Sequence, residues 1–283
     1  MGDLEQVINI ATQTVDEDRS NEGGSHPDYV IDLASGLQER FQATGNSEDL
    51  EKAVVMVREA VASKSPRKRP LEDELDIFSG ILMARYRLTG DTADFDEALD
   101  AKRRAVNQIS DNNPRKSLLL NNIGTILATR YLRSGALAYL EEAIQIQRRA
   151  ISEALPDDGR RPALQDTLAS LLGLRYSRVG AASDGEEACQ ISKELAENTP
   201  RGHPDRPRWL GNHAARLVER YHTSKDVTDL DEAIRLLRQA IEITPEAHPF
   251  RTKLLHDLAC RLWDKELIRG PAADYEEPRR IFQ

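Results

Sequence analysis

Apolar residues along this chain recur at helical spacing. Leu119, Ile123, Leu127 and Tyr131 fall four apart, Gly135 interrupts, and Leu140, Ile144, Gln147 and Ile151 resume with Ala143 and Ala150 beside them. The pattern predicts helix, turn, helix, with no strand alternation. The glycine suits the left-handed residue that closes a helix. Acidic residues follow it (Asp94 and Asp96, Glu141 and Glu142, Asp229 and Asp231) at the start of the second helix, where caps and the helix dipole favour carboxylates. Pro27, Pro114, Pro204 and Pro249 mark entries to first helices, where a missing N–H costs nothing.

The same unit returns at a fixed step. Arg40-Phe41, Arg85-Tyr86, Arg130-Tyr131, Arg175-Tyr176 and Arg220-Tyr221 are each separated by 45 residues. Gly45, Gly90, Gly135 and Gly180 keep that step, as do Ala53, Ala98, Ala143, Ala188 and Ala233, and Leu50, Phe95, Leu140 and Leu230. A fixed period of this length marks a repeat array in which each unit buries its apolar face on its neighbours. The expected organisation is one array over 1–283: a capping helix at 1–16, repeats at 28–63, 72–109, 115–154, 160–198 and 205–243, a capping helix at 250–268 and a degraded half-repeat at 269–283. That makes about twelve helices, stacking in one direction. Asp3-Leu4-Glu5-Gln6-Val7-Ile8 matches Asp49-Leu50-Glu51-Lys52-Ala53-Val54, so the array opens on a lone second helix. Near the other end, Leu254, Leu255, Leu258, Leu262 and Trp263 share one face, with Arg251, Lys253, Asp257, Arg261 and Asp264 left to water. Helix 117–132 is apolar over most of its circumference and is expected to be covered on both sides. The fourth unit departs from the pattern: Gly185 and Cys189 replace apolar anchors and Leu195-Ala196 inverts the usual order, so its second helix should be the loosest.

The strings RYLRSGALAYLEEAIQIQRRAI and RYHTSKDVTDLDEAIRLLRQAI resemble tetratricopeptide (TPR) repeats of a long variety. They are similar to fungal arrays that accompany caspase-like CHAT domains or NTPase (STAND) switch modules, and more distantly to kinesin light chain repeats. The period is 45 against the usual 34, and no Trp opens the first helix, so helices longer by one to two turns are expected. The resemblance implies an all-α, right-handed superhelical solenoid that binds a peptide or protein partner in the groove of its first helices. Carried over from Ile123-Gly124, it places Asn121, Asn122, Thr125 and Thr129 on that groove; carried over from His213-Ala214, it adds Asn212 and Glu219. An amide side chain supplies both donor and acceptor, as an extended peptide backbone requires. The resemblance also implies a second reading, a ligand-sensing regulatory segment of a multidomain CHAT-protease or STAND NTPase defence or cell-death protein.

Charge narrows the partner class. Lys plus Arg is 39 against 48 Asp plus Glu, a formal charge of −9, which disfavours a phosphate-backbone binder and hence nucleic acid. No apolar run reaches the length of a membrane span, and the start MGDLEQVINI is acidic where a leader would be basic; a cytoplasmic protein is expected. Gln6 stands where a myristoylation signal wants Ser or Thr. Loops between units carry Arg67, Lys68, Arg69, Arg115, Lys116, Arg160, Arg161, Arg206 and Arg208 while turns inside units are acidic. This predicts a basic and an acidic rim that could support a homodimer. The run Lys64-Ser65-Pro66-Arg67-Lys68-Arg69 is a nuclear-import look-alike in a loop, and His203-Pro204-Asp205 reads as a helix entry.

The Arg column admits two readings. It would form a cation ladder for an acidic peptide if exposed; lying beside the apolar stripe, each Arg instead reaches the acidic start of its own second helix, the favoured reading. Tyr86, Tyr131, Tyr176 and Tyr221 are expected to pack between repeats. No phosphate loop, zinc-protease motif, nucleophile elbow or calcium loop occurs, and Cys189 and Cys260 form neither a disulfide framework nor a zinc site. His256 and Cys260, four apart on one helix, are a coincidental pair on this reading. No enzyme activity, cofactor or metal is expected.

Overall fold

A computed structural model describes residues 2–22, 26–63, 65–111, 113–155, 157–270 and 275–282, the side chains of 19–22 and 282 apart. Among these residues it is all helix: α1 Gly2–Glu22, α2 Pro27–Thr44, α3 Ser47–Ala62, α4 Leu71–Thr89, α5 Thr92–Gln108, α6 Lys116–Ser134, α7 Leu137–Glu153, α8 Arg161–Val179, α9 Ala182–Asn198, α10 Arg206–Ser224, α11 Val227–Glu242, α12 Pro249–Arg269 and α13 Glu276–Phe282. None is long and apolar enough to cross a membrane. The helices gather into two compact units, Met1–Leu155 and Pro156–Gln283. α1 runs past the expected 16, and a thirteenth, short helix forms within the tail read as degraded. Pro27 and Pro249 open their helices, whereas Pro114 and Pro204 stand two residues ahead of α6 and α10.

Each hairpin is built by the same local chemistry. α2, α4, α6 and α8 close on Gly45, Gly90, Gly135 and Gly180 in the left-handed region, each N–H donating to the carbonyl of the aromatic residue four back. α10 closes on Lys225 at φ 62, where a side chain is strained. Asn46, Asp91 and Asp226 then cap α3, α5 and α11 by accepting a backbone N–H. Two columns of small residues are buried where the helices cross: Ala34, Ser79, Gly124, Ala169, Ala214 and Ala259 on first helices, Ala53, Ala98, Ala143, Ala188 and Ala233 on second helices. At Gly124 an added Cβ would lie 3.6 Å from the Ala143 carbonyl and 3.1 Å from Gln147 Oε1.

Ion pairs lock the crossing. The guanidinium of Arg40 donates two bonds to Asp49 (2.8 and 2.7 Å), Arg85 two to Asp94 (2.8 and 2.5 Å), Arg175 two to Asp184 (2.6 and 2.7 Å) and Arg220 two to Asp229 (2.7 and 2.5 Å). The bond from Arg40 holds Asp49, itself 1% exposed, below the usual carboxylate range. Arg40 and Arg85 also reach back to Glu5 on α1 and Glu51 on α3, tying each hairpin to the preceding second helix. The third repeat departs from this scheme because Tyr139 stands where the others have Asp. Arg130 lies instead 5.9, 5.4 and 5.7 Å from the ring centroids of Tyr86, Phe95 and Tyr139, a cation–π cage, and donates to the Tyr86 hydroxyl at 3.2 Å.

The loop cations serve the backbone and near neighbours, which corrects the picture of a free basic rim. Arg67 donates to the Val61 and Ser63 carbonyls at the end of α3, Arg206 to those of Ala196 and Thr199, and Arg251 to those of Ile241 and Thr244. Each guanidinium thus caps a second helix whose last carbonyls lack partners. Arg69 pairs with Asp32, Arg115 with Asp73 and Arg160 with Asp158. Lys64 lies outside the described residues.

Burial refines the helix faces. In α6, Leu119, Leu120, Ile123, Ile126 and Leu127 are buried, but Leu118 is exposed. Trp263 on α12 is partly exposed and packs against Tyr275, with ring centroids 4.7 Å apart and the ring planes tilted by 45°. α9 forms at full length despite Gly185, and the Tyr176 ring packs close to that glycine, 3.1 Å from where a Cβ at 185 would stand. Tyr176 therefore packs against the second helix of its own hairpin. Behind α9, His213 of α10 stands in the column of Leu33, Phe78, Ile123, Leu168 and Leu258. It is 7% exposed, its Nδ1 lies 2.9 Å from Ser192 Oγ, and burial pulls it down to about 4.

Three stability measurements check this account. Gly135→Ala should cost about 1–2 kcal/mol and Lys225→Gly should gain about 1 kcal/mol, both read by urea titration, because only glycine occupies the left-handed region without steric penalty. Asp94→Ala should cost about 3 kcal/mol by stranding the partly buried Arg85 charge. The unfolded imidazole of His213 binds a proton below about pH 6.5, whereas the folded one refuses it until about 4. Stability should therefore fall by up to about 3 kcal/mol as pH drops through that window, and His213→Leu should flatten the slope in urea melts at pH 7 and 4.5.

Candidate functional site

The six residues placed on the groove by sequence divide between the units, four on α6 and two on α10. In the first unit, Asn121 Oδ1 accepts from the Nε2 of buried Gln147 on α7 at 3.0 Å. One repeat earlier the same two positions hold Asp76 and Lys102, which form an ion pair. Lys102 is 4% exposed, and burial pulls its ammonium down to about 8. These first-helix polar groups therefore reach inward to their own second helix. The Thr125 hydroxyl donates to the Asn121 carbonyl (3.1 Å) and that of Thr129 to the Thr125 carbonyl (2.9 Å). Asn122 is half-buried and Thr125 exposed.

In the second unit the polar groups couple one first helix to the next. Asn212 Nδ2 lies 2.9 Å from both carboxylate oxygens of Asp166 on α8, and burial raises the Asp166 carboxyl above its ordinary range. One turn along α10, Arg216 Nη1 sits 3.0 Å from Glu219 Oε2 and 3.4 Å from the Ala169 and Ser170 carbonyls of α8. Burial raises Glu219 as well. The pair lies directly over Gly173 of α8, where an added Cβ would meet Glu219 Oε2 at 2.1 Å and Arg216 Nη1 at 2.6 Å. On the other side of α10 a cleft of about 300 Å3 runs along α12, lined by Gly211, Ala215, Glu219, Lys253, Asp257 and Arg261 among others.

Glu219 thus joins the coupled pairs to the cleft, and Asn212 and Glu219 belong to one continuous polar strip. Sequence reasoning missed Asp166, Arg216 and Gly173. The available signal was Gly173 itself, a bare glycine inside a helix in a column otherwise held by Gln38, Met83, Ala128, Val218 and Trp263. In a helix such a glycine implies close approach by a neighbour.

Reactive groups do not converge here. His256 Nε2 and Cys260 Sγ are 3.6 Å apart on α12, with His256 exposed. Among the described residues no group of three His, Cys, Asp or Glu side chains could hold a metal ion.

Comparison with known proteins gives the fold. Residues 118–157 match the tetratricopeptide repeat model. The C-terminal part of a TPR repeat-containing protein from Cytophaga hutchinsonii is similar over 98% of this chain and 92% of that one, at 12% identity and a TM-score of 0.63. A structure from Podosopora anserina, described as a kinesin light chain with nearly identical TPR-like repeats, is similar over 77% of this chain and 96% of that one, at 18% identity and a TM-score of 0.54. No curated protein matches the sequence. The chain carries a tetratricopeptide repeat at residues 118–157 and has the all-α fold of TPR-repeat proteins.

Proposed function

We propose that the protein is a non-catalytic interaction scaffold whose first-helix face binds an extended segment of a partner protein, with Asn212 and Glu219 of α10 among its contacts. The carrying observation is the polar strip of Asp166, Asn212, Arg216 and Glu219 over Gly173. Side chains on a first-helix face that pair mainly with one another can exchange those partners for a peptide's main-chain donors and acceptors at little net cost. The raised carboxyls of Asp166 and Glu219 mark a partly dehydrated surface, where such bonds are stronger than in water. Asn121, Asn122, Thr125 and Thr129 form the corresponding surface of the first unit, with the Asn121 amide already engaged.

Peptides selected from a random library on the wild-type protein provide the test. Their affinity, titrated by calorimetry, should fall at least about tenfold in an Asn212→Ala, Arg216→Ala double variant that keeps its helical circular dichroism. It should change little in Asn121→Ala. Equal affinity in the double variant would place binding elsewhere. Gly173→Ala offers a cleaner separation of binding from stability. The atoms it displaces are the ends of two flexible side chains, and alanine gains up to about 1 kcal/mol of helix propensity. Its melting temperature should hold or rise while peptide affinity falls.

A further inference from the structure

The lone second helix α1 carries the features by which the other second helices hold their own first helix. Glu5 receives Arg40 as Glu51 receives Arg85, which sets α1 46 residues ahead of α3. In that register Asp3 stands in the column of Asp49, Asp94, Asp184 and Asp229, and Val7 in that of Ala53, Ala98, Ala143, Ala188 and Ala233. Ile10 takes the column of Met56, Ala101, Ile146, Ile191 and Leu236, and Thr14 that of Ala60, Ala105, Ala150, Leu195 and Ala240. Steps of four, three and four put Asp3, Val7, Ile10 and Thr14 on one helix face.

Burial separates α1 from its counterparts. The five alanines of the Val7 column are at most 2% exposed and the Ile10 column is buried or half-buried throughout, whereas Val7 and Ile10 are each 57% exposed. The helix itself is seated, because Ile8 and Val15 on its adjacent face are buried and Ile8 packs beside Gly36 of α2. Asp49, Asp94, Asp184 and Asp229 are buried beneath their arginines. Asp3 is exposed, and none of the described residues bonds or pairs with it.

The five hairpins show what such a face takes. Each second helix is covered by a first helix that presents a small residue (Ala34, Ser79, Gly124, Ala169 or Ala214), a leucine three positions on and an arginine six positions on. In four of them that arginine grips the column aspartate with two bonds. Charge selects the same kind of partner for α1, which holds six acidic residues and one basic one and so attracts a helix bearing a guanidinium. The α1 of a second copy, equally acidic, would repel it. We infer that the exposed face of α1 docks one amphipathic helix of a partner protein, which lays a small residue over Val7 and donates its arginine to Asp3. This surface belongs to the first unit and does not rest on the strip of α8 and α10.

The test titrates the full chain with a fluorescent peptide of residues 161–180, stapled into a helix on the face opposite Ala169 and followed by anisotropy. This peptide carries Ala169, Leu172 and Arg175 in the required order. Binding should saturate. Val7→Lys, at an exposed position and checked for wild-type circular dichroism, should weaken it at least about tenfold by setting a charge in the apolar contact. Asp3→Asn should weaken it about fivefold, as should Arg175→Gln in the peptide. The two together should cost no more than either alone, because both break one ion pair. The Asn212→Ala, Arg216→Ala variant should bind this peptide as the wild type does, which tells failure of the first-helix strip from failure of this surface. No saturable binding, unchanged affinity in Val7→Lys, or additive losses at Asp3 and Arg175 would each overturn the assignment. So would a dimer in analytical ultracentrifugation that Val7→Lys dissociates, since that gives the face to a second copy.

Discussion

Every hairpin in this protein depends on how closely its two helices can cross. The buried columns of Ala34, Ser79, Gly124, Ala169, Ala214 and Ala259 on one side and Ala53, Ala98, Ala143, Ala188 and Ala233 on the other let backbones approach where larger residues would hold them apart. That approach sets the reach over which Arg40, Arg85, Arg175 and Arg220 meet an aspartate nine residues on. The tight turn, closed by glycine in four hairpins and by strained Lys225 in the fifth, is the third part of the same device. None of the three works alone, because an aspartate at 1–5% exposure is tolerable only when its guanidinium arrives in bidentate geometry.

A repeated scaffold turns deviations into information. The third repeat trades aspartate for Tyr139 and holds Arg130 by aromatic faces. The fourth trades two apolar anchors for Gly185 and Cys189, fills one void with Tyr176 and leaves the other open above His213. Polar residues at one pair of positions point inward as Asp76 with Lys102 and Asn121 with Gln147, while Asp166 turns to the neighbouring first helix and bonds Asn212. Identical backbone positions therefore support either a locked hairpin or an interaction surface, depending on which partner lies within hydrogen-bond reach.

Charge follows the same economy. The placement of the 39 basic and 48 acidic residues predicts opposed rims, but many cations are engaged locally. Arg67, Arg206 and Arg251 satisfy carbonyls at the ends of second helices, where a positive group also opposes the helix dipole. A further set, Arg58 with Glu97, Arg103 with Glu142 and Arg238 with Glu277, runs from one second helix to the next. These pairs are largely exposed and add register more than stability.

The sequence by itself determined the period, the helix pairs, the turn glycines and the arginine latch, because each is a local or fixed-step relation that the chain repeats. It expected all five arginines to reach the acidic start of their own second helix, which holds for Arg40, Arg85, Arg175 and Arg220 but not for Arg130, since Tyr139 replaces the acceptor and only three-dimensional packing shows which rings surround that cation. It named Asn212 and Glu219 but not Asp166, Arg216 or Gly173, whose roles come from contact between α8 and α10 across about one full repeat of sequence. It read His213 as part of a helical pattern. That this imidazole is buried against Ser192 of the preceding second helix was decided by tertiary structure alone, because the two residues lie 21 apart in sequence and meet only when the helices pack.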